Sequence, residues 1–421
     1  MTQPTTADQP ATADQPMAAR PTPGPPRLTV IGCDGRPLPP EATAALDEAV
    51  RVAGASRHLD AVAEDLPPHA ERIVIKRLDD ALDEISKGPG PVAVLASGDP
   101  GFFGVVRALR ARGVRPEVIP AASSVALAFA RLGVDWDDAL VLSAHGREPR
   151  RVLAAALTHP KVAILTGPGE AGPGRLGREL LSAGRRVYVA ERLGGADGTV
   201  TDLAARPDGA FSEPNVLVAL DPAAPSAVRW LAGHQGAPHG WALPEDAFEH
   251  RDSMITKSEV RALVLSRLGP APGRVIWDIG SGSGSVAVEC ARFGAWVIAV
   301  DSDPAQCARI RRNAASHSVY LRVREGRAPA VLADLPQADA VFVGGGDDDV
   351  LAAAVRLARP ERVVVTCASV DRVAPVRALL AGLGYQAEGT QLQVSRLAEL
   401  PGGSLRLAAA NPVFVLWGER R

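Results

Sequence analysis

The chain is poor in the features that would tie it to a membrane, to nucleic acid or to an oxidising compartment. None of its apolar runs approaches the ~20 residues that span a bilayer. Its N-terminus shows no basic stretch followed by an apolar one, so neither a span nor a leader is expected. Cysteine is rare: four residues (Cys33, Cys290, Cys307, Cys367), widely spaced, without a Cys-x-x-Cys pair or a histidine cluster at ligand spacing. That argues against a disulfide framework or a structural metal, and no metal is expected. Lysine is as scarce, with four (Lys76, Lys87, Lys161, Lys257) among 46 basic residues, and 48 acidic residues leave a net charge of -2. No basic field or run marks a nucleic-acid or membrane-surface footprint, so neither is expected as a partner. A cytoplasmic small-molecule protein is the expectation. The wealth of Ala, Arg, Gly and Pro reads as a compositional bias rather than a functional signal.

What is present suffices for sizeable cores. Hydrophobic residues make up 46% and charged residues 22% of 421 positions, a length that favours two domains. Residues 1–26, built from Pro, Thr, Ala, Asp and Gln, repeat Thr-Ala-Asp-Gln-Pro and have too little apolar surface to offset the entropy of ordering; a disordered tail is expected. From Leu28 onward short apolar runs alternate with helical periodicity: 28–31, 73–75, 92–96, 118–119, 140–142, 162–165, 187–189 and 216–220. Strands alternating with helices predict a parallel α/β domain over 27–235. The Gly/Pro-punctuated stretch ending at Pro244 predicts a linker at 236–244, and a second α/β series fills 245–421. In that series strands are expected at 274–277, 296–300, 320, 340 and 363, helices at 286–293 and 304–315, and a closing antiparallel pair, 404–409 with 413–417, around Asn411-Pro412. A parallel sheet ending in an antiparallel pair is the outline of class I S-adenosylmethionine (SAM) methyltransferases.

The strongest motif is Asp278-Ile-Gly280-Ser281-Gly282-Ser283-Gly284, placed after a strand and before a helix. Glycines let the backbone turn tightly against a ligand, and the helix start offers free N–H groups. The spacing is Gly-x-Gly-x-Gly with an acid two residues earlier, not the Gly-x-Gly-x-x-Gly of nicotinamide proteins. A carboxylate there suits the amino or sulfonium end of SAM. Asp301 follows the next strand, where an acid can accept both ribose hydroxyls; its alternative is a helix N-cap before Pro304.

With Met254-Ile-Thr-Lys257, Ile310-Arg-Arg-Asn313, Gly326-Arg-Ala-Pro329, Val341-Phe-Val-Gly-Gly-Gly346 and Asn411-Pro412, this turn resembles, in order, the decarboxylating C15-methyltransferase domain of cobalamin biosynthesis across 245–421. The resemblance implies a SAM site lined by Thr256, Gly280 to Gly284, Asp301 and Ala328. Where that family usually carries Gly-Asp-Ala-Pro this chain has Arg327, which leaves Ala328 to act through its backbone. The first half carries Ser97-Gly98-Asp99-Pro100-Gly101, Pro120-Ala-Ala-Ser123-Ser124 and His145-Gly146-Arg147, and over 28–220 it is similar to the tetrapyrrole methylase fold of two α/β lobes, the C5-methylating partner. Gly98, Asp99, Ser123 and Ser124 are then expected at a second SAM site. Read singly, Asp99 is equally a turn former before Pro100, and Ser123-Ser124 equally a helix cap. Gly32-Cys33-Asp34-Gly35 is shorter than that family's usual first glycine turn.

Together these resemblances imply a fused precorrin-6Y C5,C15-methyltransferase: two SAM sites, a carboxylate-rich tetrapyrrole, loss of CO₂ from the ring C acetate, precorrin-8X as product, and a homo-oligomer. Methyl transfer from SAM needs in-line placement and no strong base, so no catalytic residue is assigned; Lys257 and His145 are candidates, each also readable as a solvated or structural residue. Arg147 and Arg396 are candidate carboxylate anchors. The rival readings are a SAM methyltransferase for another small molecule, a nicotinamide oxidoreductase, which the glycine spacing disfavours, and a non-enzymatic SAM-binding regulator.

Overall fold

The computed structural model describes residues 27–75, 81, 83, 85, 90–195, 197–223, 238, 240–251 and 255–420; the expected tail and residues 236, 237 and 239 of the expected linker lie outside them. The chain forms two compact units, Met1–Ser123 and Ser124–Arg421, so the division falls inside the segment expected as one domain.

In the first unit, apolar runs with both faces covered make a five-stranded parallel sheet. Its strands are β1 (Leu28–Cys33), β2 (Arg51–Gly54), β3 (Glu71–Val74), β4 (Val92–Ser97) and β5 (Glu117–Ile119), in the order β3-β2-β4-β1-β5. The helices between them include α1 (Pro40–Asp47), α2 (Ser56–Ala61) and α3 (Val105–Ala111). β2 was not anticipated: its four residues, Arg-Val-Ala-Gly, are all buried and neither alternate nor form an apolar run.

The second unit begins with α4 (Ser124–Leu132) and a mixed sheet of order β6-β7-β10-β8-β9, formed by β6 (Leu140–Ser143), β7 (Lys161–Leu165), β8 (Arg186–Glu191), β9 (Thr199–Asp202) and β10 (Asn215–Leu220). Only β6 and β7 pair in parallel there; α5 (Pro149–Leu157) and α6 (Pro173–Ser182) accompany it. After α7 (Ser258–Leu268) comes a seven-stranded sheet. Its parallel strands are β11 (Val275–Ile279), β12 (Trp296–Asp301), β13 (Leu321–Glu325), β14 (Ala340–Val343) and β15 (Arg362–Cys367), with α8 (Ser285–Arg292), α9 (Pro304–Ser316), α10 (Asp348–Ala358) and α11 (Val373–Gly382) between or after them.

The closing antiparallel pair differs from the sequence expectation. β16 (Tyr385–Leu392) and β19 (Val413–Arg420) complete the sheet in the order β13-β12-β11-β14-β15-β19-β16, β19 running antiparallel to both neighbours. The stretch expected to pair with β19 is instead β18 (Leu405–Ala409), which joins β17 (Ser395–Glu399) in a separate hairpin. Leu397, Leu405 and Leu407 stay exposed on that hairpin, so burial did not select its pairing. Tyr385, by contrast, is buried and its hydroxyl donates to the Pro360 carbonyl at 2.6 Å.

The two sheets of the second unit share packing. Ala154 of α5 belongs to the core of the seven-stranded sheet, Trp296 packs against both cores, and the Arg150 guanidinium donates to Asp339 at 3.0 Å. Among the described residues no helix is long and apolar enough to cross a membrane.

Candidate functional site

The Gly280–Gly284 turn leaves β11 where strand connections diverge: β11 leads on to β12 on one side, its neighbour β14 to β15 on the other. Open α/β sheets bind ligands at such a point. Gly280, Gly282 and Gly284 take φ of 68°, 57° and 77°, a region costly for other residues. A Cβ on Gly280 would lie 2.7 Å from the Gly345 nitrogen, so the Gly344–Gly346 loop after β14 backs this turn. Sequence reading quoted those glycines without giving them that role. The Gly280 and Ser281 amides donate to the Val300 carbonyl at 2.9 and 3.1 Å, which draws the turn over the end of β12.

Asp301 stands at that end. Its Oδ2 accepts from the Gly282 amide at 2.8 Å and its Oδ1 from the Asp303 amide at 2.9 Å. A carboxylate has roughly four lone-pair sites, so two backbone bonds orient the group and leave capacity for two hydroxyl donors. The N-cap of α9 is Asp303, which accepts from the Ala305 amide at 2.8 Å; the capping alternative for Asp301 is thereby removed. Ala328 lies in the loop after β13, and that loop reaches the end of β12 through the Gly326 amide, which donates to the Asp301 carbonyl at 2.9 Å.

Asp278 is fully buried within β11. Its Oδ2 accepts from Ser281 Oγ at 2.8 Å and from the Ala287 amide at 3.0 Å, which ties the turn to α8. Its Oδ1 has no hydrogen-bond partner. Burial, reinforced by the nearby Asp301 charge, pushes the carboxyl up to about 7 despite those two bonds. The donor set therefore fits SAM: an open glycine turn, an oriented acid with spare lone pairs, and an orphaned buried oxygen where positive charge would be welcome.

A strap before α7 carries Thr256 and Lys257, and the sequence did not reveal how it is fixed. Fully buried Arg261 donates to Glu289 at 3.2 Å, to the Thr256 carbonyl at 2.6 Å and to the Leu243 carbonyl, and its guanidinium lies 4.8 Å over the Phe248 ring. Buried Asn313 donates to the Glu249 and Ser283 carbonyls at 2.9 and 2.8 Å and accepts from the Glu249 amide at 2.8 Å, joining strap and glycine turn. Lys257 immediately precedes α7 and is half-buried. Arg396 sits on the hairpin, where Glu245 and Glu259 both accept from it at 2.7 to 2.9 Å. Its charge is thus met within the chain, and it holds Glu245 down at about 2. As a carboxylate anchor it would first have to release two carboxylates.

In the first unit Gly98 and Asp99 follow β4, with Gly98 at φ 59° and its amide donating to the Cys33 carbonyl at 2.7 Å. Asp99 Oδ1 accepts from the Gly101 amide at 2.8 Å, the local turn that its alternative reading describes. A Cβ on Gly32 would fall 2.6 Å from the Gly98 carbonyl oxygen and 2.7 Å from the Ala121 nitrogen, so the loops after β1, β4 and β5 converge. Beside Gly32 a cavity of about 540 Å³ opens between Asp34 to Pro39 and Pro120 to Ala122. Ser123 ends the first unit and Ser124 opens α4. His145 and Arg147 are exposed in the turn after β6.

A glycine turn at the divergence point of a parallel sheet closed by an antiparallel strand, with an oriented acid on the next strand, defines a SAM-dependent methyltransferase. Residues 246–419 match the family described as precorrin methyltransferase domain and residues 29–205 that described as tetrapyrrole (corrin/porphyrin) methylases. The chain is 39% identical over 368 residues to a precorrin-6Y C(5,15)-methyltransferase [decarboxylating] of Sinorhizobium sp, covering 82% of this chain and 86% of that one. It therefore belongs to the decarboxylating precorrin-6Y C(5,15)-methyltransferase family. A Mycobacterium tuberculosis protein of the same name is 34% identical over 63% of this chain and 66% of its own length. A probable cobalt-precorrin-6B C(15)-methyltransferase (decarboxylating) of Pyrobaculum calidifontis is 36% identical over 41% of this chain and 93% of its own.

Proposed function

We propose that the chain methylates precorrin-6Y at C5 and C15 and releases the ring C acetate carboxyl as CO₂, giving precorrin-8X, with one SAM site in each half. The observation that carries this reading is one alignment running through both halves to a relative whose name holds both positions and the decarboxylation. The Pyrobaculum relative is itself little longer than the C-terminal half it matches and is named for C15 and decarboxylation; residues 245–421 are accordingly assigned that work, and 27–235 the C5 methylation.

SAM, when bound, supplies an electrophilic methyl group and departs as a neutral thioether. At the C-terminal site Asp301 accepts the ribose hydroxyls, the Gly280–Gly284 turn faces the amino-acid end, the Asp278 carboxylate offers its free Oδ1 to that end's positive charge, Ala328 contacts the adenine through its backbone, and Thr256 closes the site from the strap. Gly98, Asp99, Ser123 and Ser124 serve the N-terminal site. Lys257 and Arg147 neutralise substrate carboxylates, and His145 contacts the polyanion beside Arg147. The assembly is a cytoplasmic homo-oligomer without nucleic-acid partners.

The test is mass spectrometry of products from the full-length chain, SAM and precorrin-6Y. Gain of two methyl groups with loss of one CO₂ is expected; a single methyl transfer, or none, would overturn the two-site reading.

A further inference from the structure

In the first unit, strand order places a second divergence point between β2 and β4. From β2 the chain moves outward to β3, while from β4 it crosses β1 to β5. All four pairings of that sheet are parallel, so the C-terminal ends of β2 and β4 lie side by side and open a crevice of the kind that binds ligands in such sheets. Three polar side chains meet there. Arg57 Nη2 donates to Ser97 Oγ at 2.8 Å, and His58 Nε2 lies 2.8 Å from the same oxygen. Arg57 and His58 follow β2 directly on α2, and Ser97 is the last residue of β4, next to Gly98-Asp99.

A guanidinium only donates, so Ser97 Oγ accepts from Arg57, and its own hydroxyl proton is available to Nε2 of a neutral His58 imidazole. Burial, together with the adjacent Arg57 charge, lowers His58 to about 4 and keeps it so. Ser97, itself held by His58, thus occupies one N–H of Arg57 and fixes its head, and the remaining donors of an exposed guanidinium are left over. Among the described residues no carboxylate pairs with Arg57.

We propose that Arg57, oriented by Ser97 and His58, forms a carboxylate-binding subsite in the β2/β4 crevice that takes an acidic side chain of the tetrapyrrole during methylation by the N-terminal half. The inference rests on the function proposed above, because that substrate class supplies the carboxylates. A fixed guanidinium with spare N–H groups binds a carboxylate bidentately. Ser97 abuts the loop assigned to SAM, so an acid held by Arg57 places the macrocycle edge against that loop. Arg57 is a binding residue here; Ser97 and His58 are positioning residues.

The test compares full-length wild type, Arg57→Ala and Arg57→Lys in C5 methylation of precorrin-6Y at saturating SAM, with SAM affinity by calorimetry and thermal midpoints alongside. Arg57→Ala should raise the tetrapyrrole KM at least about tenfold while kcat, SAM affinity and midpoint hold, and Arg57→Lys, which keeps the charge without the fork, should recover part of the loss. Unchanged KM in Arg57→Ala would overturn the subsite. So would weakened SAM binding at constant KM, which would reduce the cluster to a prop for the loop. Wild type that adds no methyl group at C5 would instead overturn the functional reading, and the subsite with it.

Discussion

The buried carboxyl of Asp278 makes a prediction with a definite sign. Its folded value of about 7 lies well above the ordinary 3.8, so between those two values the folded protein binds more protons than the unfolded chain does. Stability of the C-terminal sheet must therefore be fullest at the acid end of that window, fall as pH rises through it, and flatten above about 7. At ~1.4 kcal/mol per pK unit the whole loss is on the order of 4 kcal/mol. In Asp278→Asn the retained oxygen keeps the bonds from Ser281 and Ala287, while the new amide nitrogen stands unpartnered at a cost of about 1–3 kcal/mol. The variant should be less stable at the acid end yet lack this part of the pH slope. Denaturant titration across the window, followed by fluorescence of Trp277, Trp296 and Trp417, reads the effect. Cationic SAM should lower the carboxyl again, so affinity at this site should climb with pH toward about 7 in the wild type and not in the variant. Equal pH slopes for the two proteins, in stability and in affinity alike, would refute the argument.

Asp301→Ala removes an acceptor from two backbone amides and from the proposed ribose hydroxyls; at roughly 1.5–3 kcal/mol per charge-assisted bond, calorimetry on the full chain should show one of two SAM binding events lost and the other intact. Arg261→Met leaves Glu289 buried without its guanidinium partner, although Arg292 still reaches it at 3.0 Å. About 3 kcal/mol of stability should be lost, seen as a lower thermal midpoint, and SAM should bind more weakly because the Thr256 carbonyl loses its anchor. A fragment of 245–421 should fold, bind SAM and release CO₂ from precorrin-6Y, with a lower midpoint than the same sheet in the full chain, since Trp296 and Asp339 lose partners from the preceding lobe.

Legibility in the sequence followed the range of the interactions. The Gly280–Gly284 turn, the position of Asp301 after a strand, and β11, β12, β14 and β15 were readable because the forces behind them are local: positive φ, helix starts and runs buried on both faces; β13, whose residues are half-buried or exposed, was marked only by the adjoining Tyr320. β2 was missed because neighbouring strands rather than its own pattern bury it. β16 was missed for a related reason. Its run Tyr-Gln-Ala-Glu-Gly-Thr-Gln-Leu is mostly polar and exposed and earns its place through backbone pairing with β19, a contact 20 or more residues away that propensity does not encode. The strap network was invisible for the same cause. Arg261, Glu289 and Asn313 look like ordinary helix-surface residues until distant segments bury them, and only then do their polar atoms require the Leu243, Thr256 and Glu249 backbone.

The lobe of residues 124–220 meets the seven-stranded sheet at the N-terminal ends of its parallel strands. Asp339, Gly273, Trp296 and Tyr320 each stand at or just before the N-terminal end of a parallel strand, and they meet Arg150, the Arg151 carbonyl, the lobe's core and Arg185, respectively. The glycine turn, Asp301, the Ala328 loop and the Gly344–Gly346 loop all lie at the opposite, C-terminal ends of those strands. A parallel sheet separates the two tasks by construction: side chains at one end hold a neighbour, and loops at the other hold a ligand. The lobe can thus buttress β11 to β14 and raise their stability without adding an atom to the cofactor turn, and a chain lacking the lobe still carries that turn entire.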